Sequence, residues 1–126
     1  AALASAQFVV GRAGSSTLAE CASAGVPLLI VPYPHAAAHQ RANADELVEA
    51  GGAILVDDED LDGDTLREAC DLLFDERLAR RSTAARSVGR PGAAAASAQL
   101  LETLAAHEPL PSQDELDALT RTSAAP

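Results

Sequence analysis

Three short apolar runs limit the folds open to this chain more than any other feature of its sequence. The runs lie at Phe8–Val10, Leu28–Val31 and Ala53–Val56, and none of them alternates with polar residues. Such continuous runs are typical of strands that a parallel sheet buries on both faces. Because helical patterns separate the runs, the sequence predicts a β-α-β-α-β order and a Rossmann-like, doubly wound α/β sheet with right-handed crossovers.

The helical segments have recognisable ends. The first extends over Ser15–Ala24 and is followed by Gly25, and the second extends over Ala38–Ala50 and is followed by Gly51. Glycine directly after the last helical residue is a common helix stop. Three more helices are predicted after the third strand, at Gly63–Phe74, Asp75–Val88 and Pro91–Ala106.

These elements predict one domain over residues 1–106. Beyond it, Leu116 and Leu119 indicate a short helix, but the composition of residues 107–126, rich in Pro, Ser, Thr and acidic residues, is typical of a mostly mobile tail. A parallel sheet of three strands is small and has two open edges. Since the chain begins with alanine just before its first strand, we expect it to be the later part of a larger protein.

The net charge of the chain argues against two classes of partner. Its 126 residues have a net charge of −10, and all nine basic residues are arginine. This argues against a nucleic-acid partner, which needs clustered basic side chains, and against a polybasic membrane anchor. No apolar run approaches the roughly 20 residues of a membrane-spanning helix, and no signal peptide is visible. The two cysteines lie far apart in sequence, which favours a reduced intracellular setting.

The junction after the first apolar run has the composition of an anion-binding loop. Its sequence, QFVVGRAGSSTLAE, leads from strand to helix through two glycines and three hydroxyl side chains. In doubly wound sheets, ligands bind at the loops that follow the carboxyl ends of the strands. Free N–H groups at the helix start (Gly14, Ser15, Ser16 and Thr17) would favour a phosphate or pyrophosphate, and Arg12 could add positive charge. The loop matches neither the dinucleotide fingerprint nor the P-loop.

A structural interpretation of the same residues remains open. Thr17 and Glu20 have the spacing of a capping box, in which Thr17 would cap the helix and Glu20 would reach back to it. On the residues of this junction alone, a helix cap and a ligand site are both consistent with the sequence.

The second junction favours the ligand site. The segment after the second apolar run contains His35, His39, Gln40 and Asn43. In a doubly wound sheet this segment lies beside the first junction, at the same edge. Gln40 and Asn43 share one helix face because they are three residues apart. Their amides offer both donors and acceptors, which suits sugar hydroxyls.

Together these motifs resemble those of a known family. The runs RAGSSTLAE, AGVPLLIVPYPH, HQ-x-x-NA and EAGGA, which cover about residues 1–106, look like the C-terminal half of the MurG family of peptidoglycan glycosyltransferases. The resemblance implies a two-domain GT-B fold, of which this chain would be part of the C-terminal domain, without the first strands of that domain. It further implies that UDP-N-acetylglucosamine binds mainly to this half of the protein.

The resemblance also implies roles for single residues. Gly14, Ser15, Ser16 and Thr17 match the loop and helix start near the nucleotide and its phosphates. Glu20 matches a glutamate that holds the ribose hydroxyls. His39 and Gln40 match a pair whose glutamine recognises the sugar, and Asn43 completes that motif, whereas Ala38 stands where related members often carry an acidic or polar residue. The family's candidate general base lies in the other half, so no catalytic residue, cofactor or metal is expected here.

The implied function is the donor-binding part of an inverting hexosyltransferase. It would move N-acetylglucosamine from UDP-N-acetylglucosamine to a lipid-linked muramyl-pentapeptide, which the N-terminal half would bind at the cytoplasmic face of the cell membrane. Two alternatives remain. Another GT-B transferase, such as a natural-product glycosyltransferase, would usually show a His-Gly-Gly-type loop and Asp-Gln in place of His-Gln. A nucleotide-binding module without catalysis is the other.

An acidic segment resembles the start of a calcium loop. Asp58, Asp60 and Asp62 have the spacing of its first three ligands and Gly63 that of its turn glycine, but its twelfth position is Ala69 instead of a bidentate glutamate. An acidic first turn of the following helix explains the same residues. We therefore expect no calcium site. His35 and His39 are expected to be solvated or to face substrate, since no third metal ligand is evident near them.

Overall fold

The computed structural model describes residues 2–122 of the chain. Its strands are β1 (Val9–Gly11), β2 (Leu28–Ile30) and β3 (Ala53–Leu55). Its α-helices, in chain order, are α1 (Ala2–Ser5), α2 (Ser15–Ala24), α3 (Ala37–Glu49), α4 (Gly63–Phe74), α5 (Leu78–Val88), α6 (Ala93–Ala105) and α7 (Gln113–Arg121). Contacts divide the chain into two compact units, residues 1–89 and 90–126.

The strands form one parallel sheet in the order β1-β2-β3. Val9 lies opposite Leu28, which lies opposite Ala53, so the strands start level with one another. The predicted α/β class and the parallel neighbours are confirmed. The first strand is displaced by one residue from the predicted Phe8–Val10, because Gly11 also pairs with β2.

The middle strand carries the core of the first unit. Leu28 and Ile30 point to one face of the sheet, where they join a buried cluster with residues of α2, α3 and α5. Leu29 points to the other face and packs with Ala69 and Leu73 of α4. All three β2 side chains are fully buried, as expected for a strand that is covered on both faces.

Glycines end two helices where the sequence indicated. Gly25 follows α2 with a φ of 68°, and Gly51 follows the last turn of α3 with a φ of 83°. After α2, the N–H of Gly25 donates to the Ala22 carbonyl (3.0 Å) and the N–H of Val26 to the Cys21 carbonyl (2.8 Å). A left-handed residue that closes the last turn in this way satisfies carbonyls that the helix leaves without partners.

Helix α4 has the predicted bounds, and Asp62 caps it. The Asp62 carboxylate accepts hydrogen bonds from the Thr65 N–H (2.8 Å), the Thr65 hydroxyl (2.9 Å) and the Asp64 N–H (3.0 Å). The bond from the Thr65 N–H is the main reason why the pKa of Asp62 lies below its usual value. The acidic run therefore provides the helix start, which was the structural alternative to a calcium loop.

Helix α5 begins three residues later than predicted. The sequence predicted a helix over Asp75–Val88, but the Asp75 carboxylate accepts a hydrogen bond from the Arg77 N–H (2.7 Å) and the helix starts at Leu78. Aspartate competes with helical backbone for nearby N–H groups, so it favours the turn. The prediction for residues 75–77 is therefore wrong.

The second unit contains α6 and α7, which pack against each other. Helix α7 is the short helix that Leu116 and Leu119 indicated, and a capping box of Ser112 and Glu115 begins it. Hydrogen bonds from the Ser112 hydroxyl and N–H lower the pKa of Glu115. The mobility of the tail and the domain boundary at residue 106 stay predictions, and residues 123–126 lie outside the described part.

Two neighbouring leucines of α4 give a matched test of the core. Leu73 is fully buried, whereas Leu72 is 48% exposed. Leu73→Ala should lower the free energy of unfolding by about 2–5 kcal/mol, because it leaves a cavity beneath β2. Leu72→Ala should change it by less than about 1 kcal/mol. Urea unfolding of both variants measures the difference, and equal losses would contradict the assignment of Leu73 to the core.

The cap of α4 predicts a pH dependence. Because the pKa of Asp62 is lowered on folding, its contribution to stability is present above the unfolded pKa of about 3.9 and is lost as the pH falls through the lower folded pKa. Asp62→Ser keeps a capping oxygen but does not titrate. Between about pH 5 and pH 2 the free energy of unfolding should fall less in Asp62→Ser than in the wild type. Parallel pH profiles would refute this role.

Candidate functional site

The ends of the three strands bring the candidate residues to one edge of the sheet. Because the strands are parallel and in register, the residues after Gly11, Ile30 and Leu55 all emerge at that edge. A hydrogen bond from Asn43 Nδ2 to the Ala13 carbonyl (3.3 Å) joins the start of α3 to the loop after β1. The prediction that the two junctions open at the same edge is confirmed.

The first turn of α2 presents backbone donors. Its N-cap is Gly14, which has an extended backbone and no side chain to accept a hydrogen bond. The first N–H to find a partner within the helix is that of Leu18, which donates to the Gly14 carbonyl at 3.0 Å. The N–H groups of Ser15, Ser16 and Thr17 therefore have no acceptor within the helix. With three exposed hydroxyl side chains beside them, these groups can hold an anion.

The capping box at Thr17 and Glu20 is not present. An N-cap residue needs an extended backbone, and here Gly14 supplies it, so Thr17 lies inside the first helical turn. Glu20 is exposed, and within residues 2–122 its carboxylate makes no hydrogen bond or ion pair. The pKa of the neighbouring Cys21 thiol is raised, mainly because the thiol is buried and further because of the negative charge of Glu20. The structure therefore rules out the interpretation of Thr17 and Glu20 as a capping box.

The segment after β2 is held by a glutamine. Gln40 Oε1 accepts a hydrogen bond from the Tyr33 N–H (2.8 Å), which leaves its Nε2 group as a donor. His39 is exposed on the same turn of α3. His35 lies in the 3-10 turn Pro34–Ala36, with its ring edge-on to that of Tyr33 at 5.4 Å between centroids. Gln40 and Asn43 thus each use one polar atom to order a loop, whereas Gln40 Nε2 and Asn43 Oδ1 take no part in these contacts.

Arg12 crosses all three strand ends. Its Nη1 donates to the carbonyls of Val31 (3.3 Å) and Pro32 (3.0 Å) and forms an ion pair with Asp58. Its guanidinium also lies 5.8 Å from the centre of the Tyr33 ring. The sequence predicted only that Arg12 adds positive charge near an anion. Its contacts show that it also ties the loop after β1 to those after β2 and β3.

Two acidic residues at this edge were not among the predicted site residues. Asp58 pairs with Arg12, and Asp57 pairs with Arg41 of α3. A cleft of about 350 Å³ lies at this edge. It is lined by Arg41, Asp57 and Asp58 together with Pro32, Pro34 and Glu59. The place of Asp57 and Asp58 directly after the third apolar run was a usable signal, because it puts them at the same edge as the other two junctions.

The described residues offer no evident metal site. Among residues 2–122, no three His, Cys, Asp or Glu side chains are grouped so that they could hold a metal ion. In the same range, no helix is both long enough and apolar enough to cross a membrane.

The comparisons with known proteins all match this chain to glycosyltransferases. Residues 1–104 match the glycosyltransferase family 28 C-terminal domain. Three curated relatives are UDP-N-acetylglucosamine–N-acetylmuramyl-(pentapeptide) pyrophosphoryl-undecaprenol N-acetylglucosamine transferases. The chain is 53% identical to that of Chlorobaculum parvum over 93 residues, 71% of this chain and 26% of the relative. It is 47% identical to that of Moorella thermoacetica over 103 residues, which are 79% of this chain and 28% of the relative. It is 44% identical to that of Paramagnetospirillum magneticum over 109 residues, which are 84% of this chain and 29% of the relative. The chain thus spans less than a third of their length.

Proposed function

Because this chain belongs to the glycosyltransferase family 28 C-terminal domain family, we propose that it is the donor-binding part of an inverting hexosyltransferase. The proposed donor is UDP-N-acetylglucosamine, and the proposed acceptor is a lipid-linked muramyl-pentapeptide, as the names of the curated relatives suggest. The acceptor would bind to another part of the protein, at the cytoplasmic face of the cell membrane.

The observation that carries this proposal is the open start of α2 beside the polar side chains of α3. A diphosphate would bind at the N–H groups of Ser15, Ser16 and Thr17, where the helix dipole also favours negative charge. Gly14 supports this placement, since a backbone without a side chain lets a phosphate approach closely. Arg12 would add donors from Nη2 and Nε, because all its hydrogen bonds to the loops use Nη1.

The remaining polar groups suit the two sugars of the donor. The Glu20 carboxylate, exposed on the second turn of α2, would accept hydrogen bonds from the ribose hydroxyls. Gln40 Nε2 and Asn43 Oδ1 are not used in the loop contacts, and they would bind hydroxyls of N-acetylglucosamine. His39, exposed on the turn that holds Gln40, would lie beside them.

In the proposed reaction, a hydroxyl of the acceptor attacks the anomeric carbon of the sugar. The new bond joins that oxygen to the carbon, the bond from the carbon to the diphosphate breaks, and UDP leaves with the electron pair. The N–H groups at Ser15–Thr17 would stabilise the charge that develops on the diphosphate. The acceptor's proton would pass to a base outside this chain, so none of the residues named here is assigned the role of base.

Removing the charge of Glu20 tests the ribose contact. In the intact gene product, Glu20→Gln should weaken both UDP and UDP-N-acetylglucosamine, because both contain the ribose. Losing one charge-assisted hydrogen bond costs about 1.5–3 kcal/mol, or roughly ten- to a hundredfold in affinity. Glu49→Gln, which removes the same charge at the last residue of α3, is the control and should bind like the wild type. Calorimetric titration of both ligands measures the effect, and unchanged binding by Glu20→Gln would contradict it.

Gln40 tests the choice of sugar. Gln40→Ala should weaken UDP-N-acetylglucosamine more than UDP, because the proposed partner of Nε2 is the sugar. Gln40→Glu keeps an oxygen for the Tyr33 N–H but loses the amide donor, so it separates loop order from sugar contact. The same selective loss in both variants supports the sugar contact. Equal losses of affinity for the two ligands would indicate a nucleotide site in which Gln40 does not contact N-acetylglucosamine.

A further inference from the structure

The contact between Asp58 and Arg12 has no role in the proposed chemistry, yet it joins two of the strand ends that form the candidate site. Asp58 is 46 residues from Arg12 and reaches it from the loop after the third strand. Arg12 Nη1 carries two N–H donors and faces three acceptors, namely this carboxylate and the carbonyls of Val31 and Pro32. The carboxylate is the only charged one of the three, so it provides the strongest of these attractions.

The loop that Arg12 anchors is short. Arg12 is separated only by Ala13 from Gly14, the N-cap of α2. Asn43 holds the Ala13 carbonyl from the side of α3. The position of the Gly14 backbone, and with it the direction of the first N–H groups of α2, therefore depends on Arg12 on one side and on Asn43 on the other.

We propose that Asp58 is a positioning residue, whose carboxylate holds Arg12 across the strand ends and thereby fixes the loop that receives the donor's diphosphate. This rests on the proposed function for the identity of the ligand. The contact itself uses Nη1, so the other guanidinium nitrogens stay available to the anion. Both side chains are partly exposed, so the pair contributes little to global stability, and its effect should be local.

The sign of the effect separates this role from plain electrostatics. Asp58 is negative, and so is a diphosphate. If Asp58 acted only by repelling the negative diphosphate, removal of its charge would strengthen the binding of UDP. If Asp58 positions Arg12, its removal weakens binding, although a repulsive charge has gone.

Asp60 provides the matched control, since it belongs to the same acidic turn. Within the described residues its carboxylate makes no hydrogen bond or ion pair. In the intact gene product, Asp58→Asn should raise the dissociation constant of UDP about three- to tenfold, and Asp60→Asn should leave it unchanged or lower it. Asp58→Glu, which keeps the carboxylate, should restore most of the affinity. Tighter binding by Asp58→Asn, or equal losses in the two Asn variants, would overturn the proposal.

A double-mutant cycle identifies the partner. With Arg12 replaced by alanine, Asp58→Asn should cause no further loss of UDP affinity, because the group that it positions is absent. Full additivity of the two substitutions would show that Asp58 acts through something else and would overturn the proposal.

A measurement without ligand separates this proposal from the proposed function. The Leu18 amide donates the first hydrogen bond of α2, to the Gly14 carbonyl, and it should exchange with deuterium faster in Asp58→Asn than in Asp60→Asn or the wild type. If the wild-type protein binds neither UDP nor UDP-N-acetylglucosamine, the proposed function fails, and amide exchange alone decides the role of Asp58. Equal exchange in all three proteins would overturn the positioning role, whatever the ligand.

Discussion

The parallel pairing of three short strands determines where the polar groups of this domain meet. Parallel strands that start level with one another also end level, and each must be followed by a connection that leaves the sheet at the same edge. The pairing is maintained by Leu28, Leu29 and Ile30, which are buried between a helical layer on one face and α4 on the other. Loops far apart in sequence consequently lie side by side, and their carbonyls, amides and charges can bind one another or a common ligand.

The acidity of the chain does not conflict with the proposed anionic donor. The net charge of −10 is that of the whole chain, and charges farther than about 8–10 Å from an ion are largely screened at physiological ionic strength. The groups proposed to bind the diphosphate are the backbone N–H groups at the start of α2, which have no helical acceptors, and the guanidinium of Arg12. The carboxylate of Asp58 offsets the positive charge of that guanidinium, so orientation of the donors matters more here than the total charge.

Much of the fold was predictable because its signals are local. The apolar runs indicated the strands to within one residue, and the glycines indicated where α2 and α3 end. At the start of α2 the sequence left two interpretations open, a ligand site and a capping box at Thr17 and Glu20. The structure excludes the capping box, because the extended backbone of Gly14 makes Gly14 the N-cap and leaves Thr17 inside the first helical turn. The ion pairs of Arg12 and Arg41 with Asp58 and Asp57 were not predicted, since they depend on which loops the sheet brings together.

The two amides of α3 connect the order of the loops with the proposed binding of the sugar. Gln40 uses its oxygen for the Tyr33 N–H, and Asn43 uses its nitrogen for the Ala13 carbonyl. Each bond restricts the side chain before any ligand arrives, so less rotamer freedom remains to be lost on binding. The bond also selects what is left, namely a donor on Gln40 and an acceptor on Asn43. Neighbouring hydroxyls of a sugar can both donate and accept, so a fixed donor and a fixed acceptor one helical turn apart can select an orientation that freely rotating amides would not.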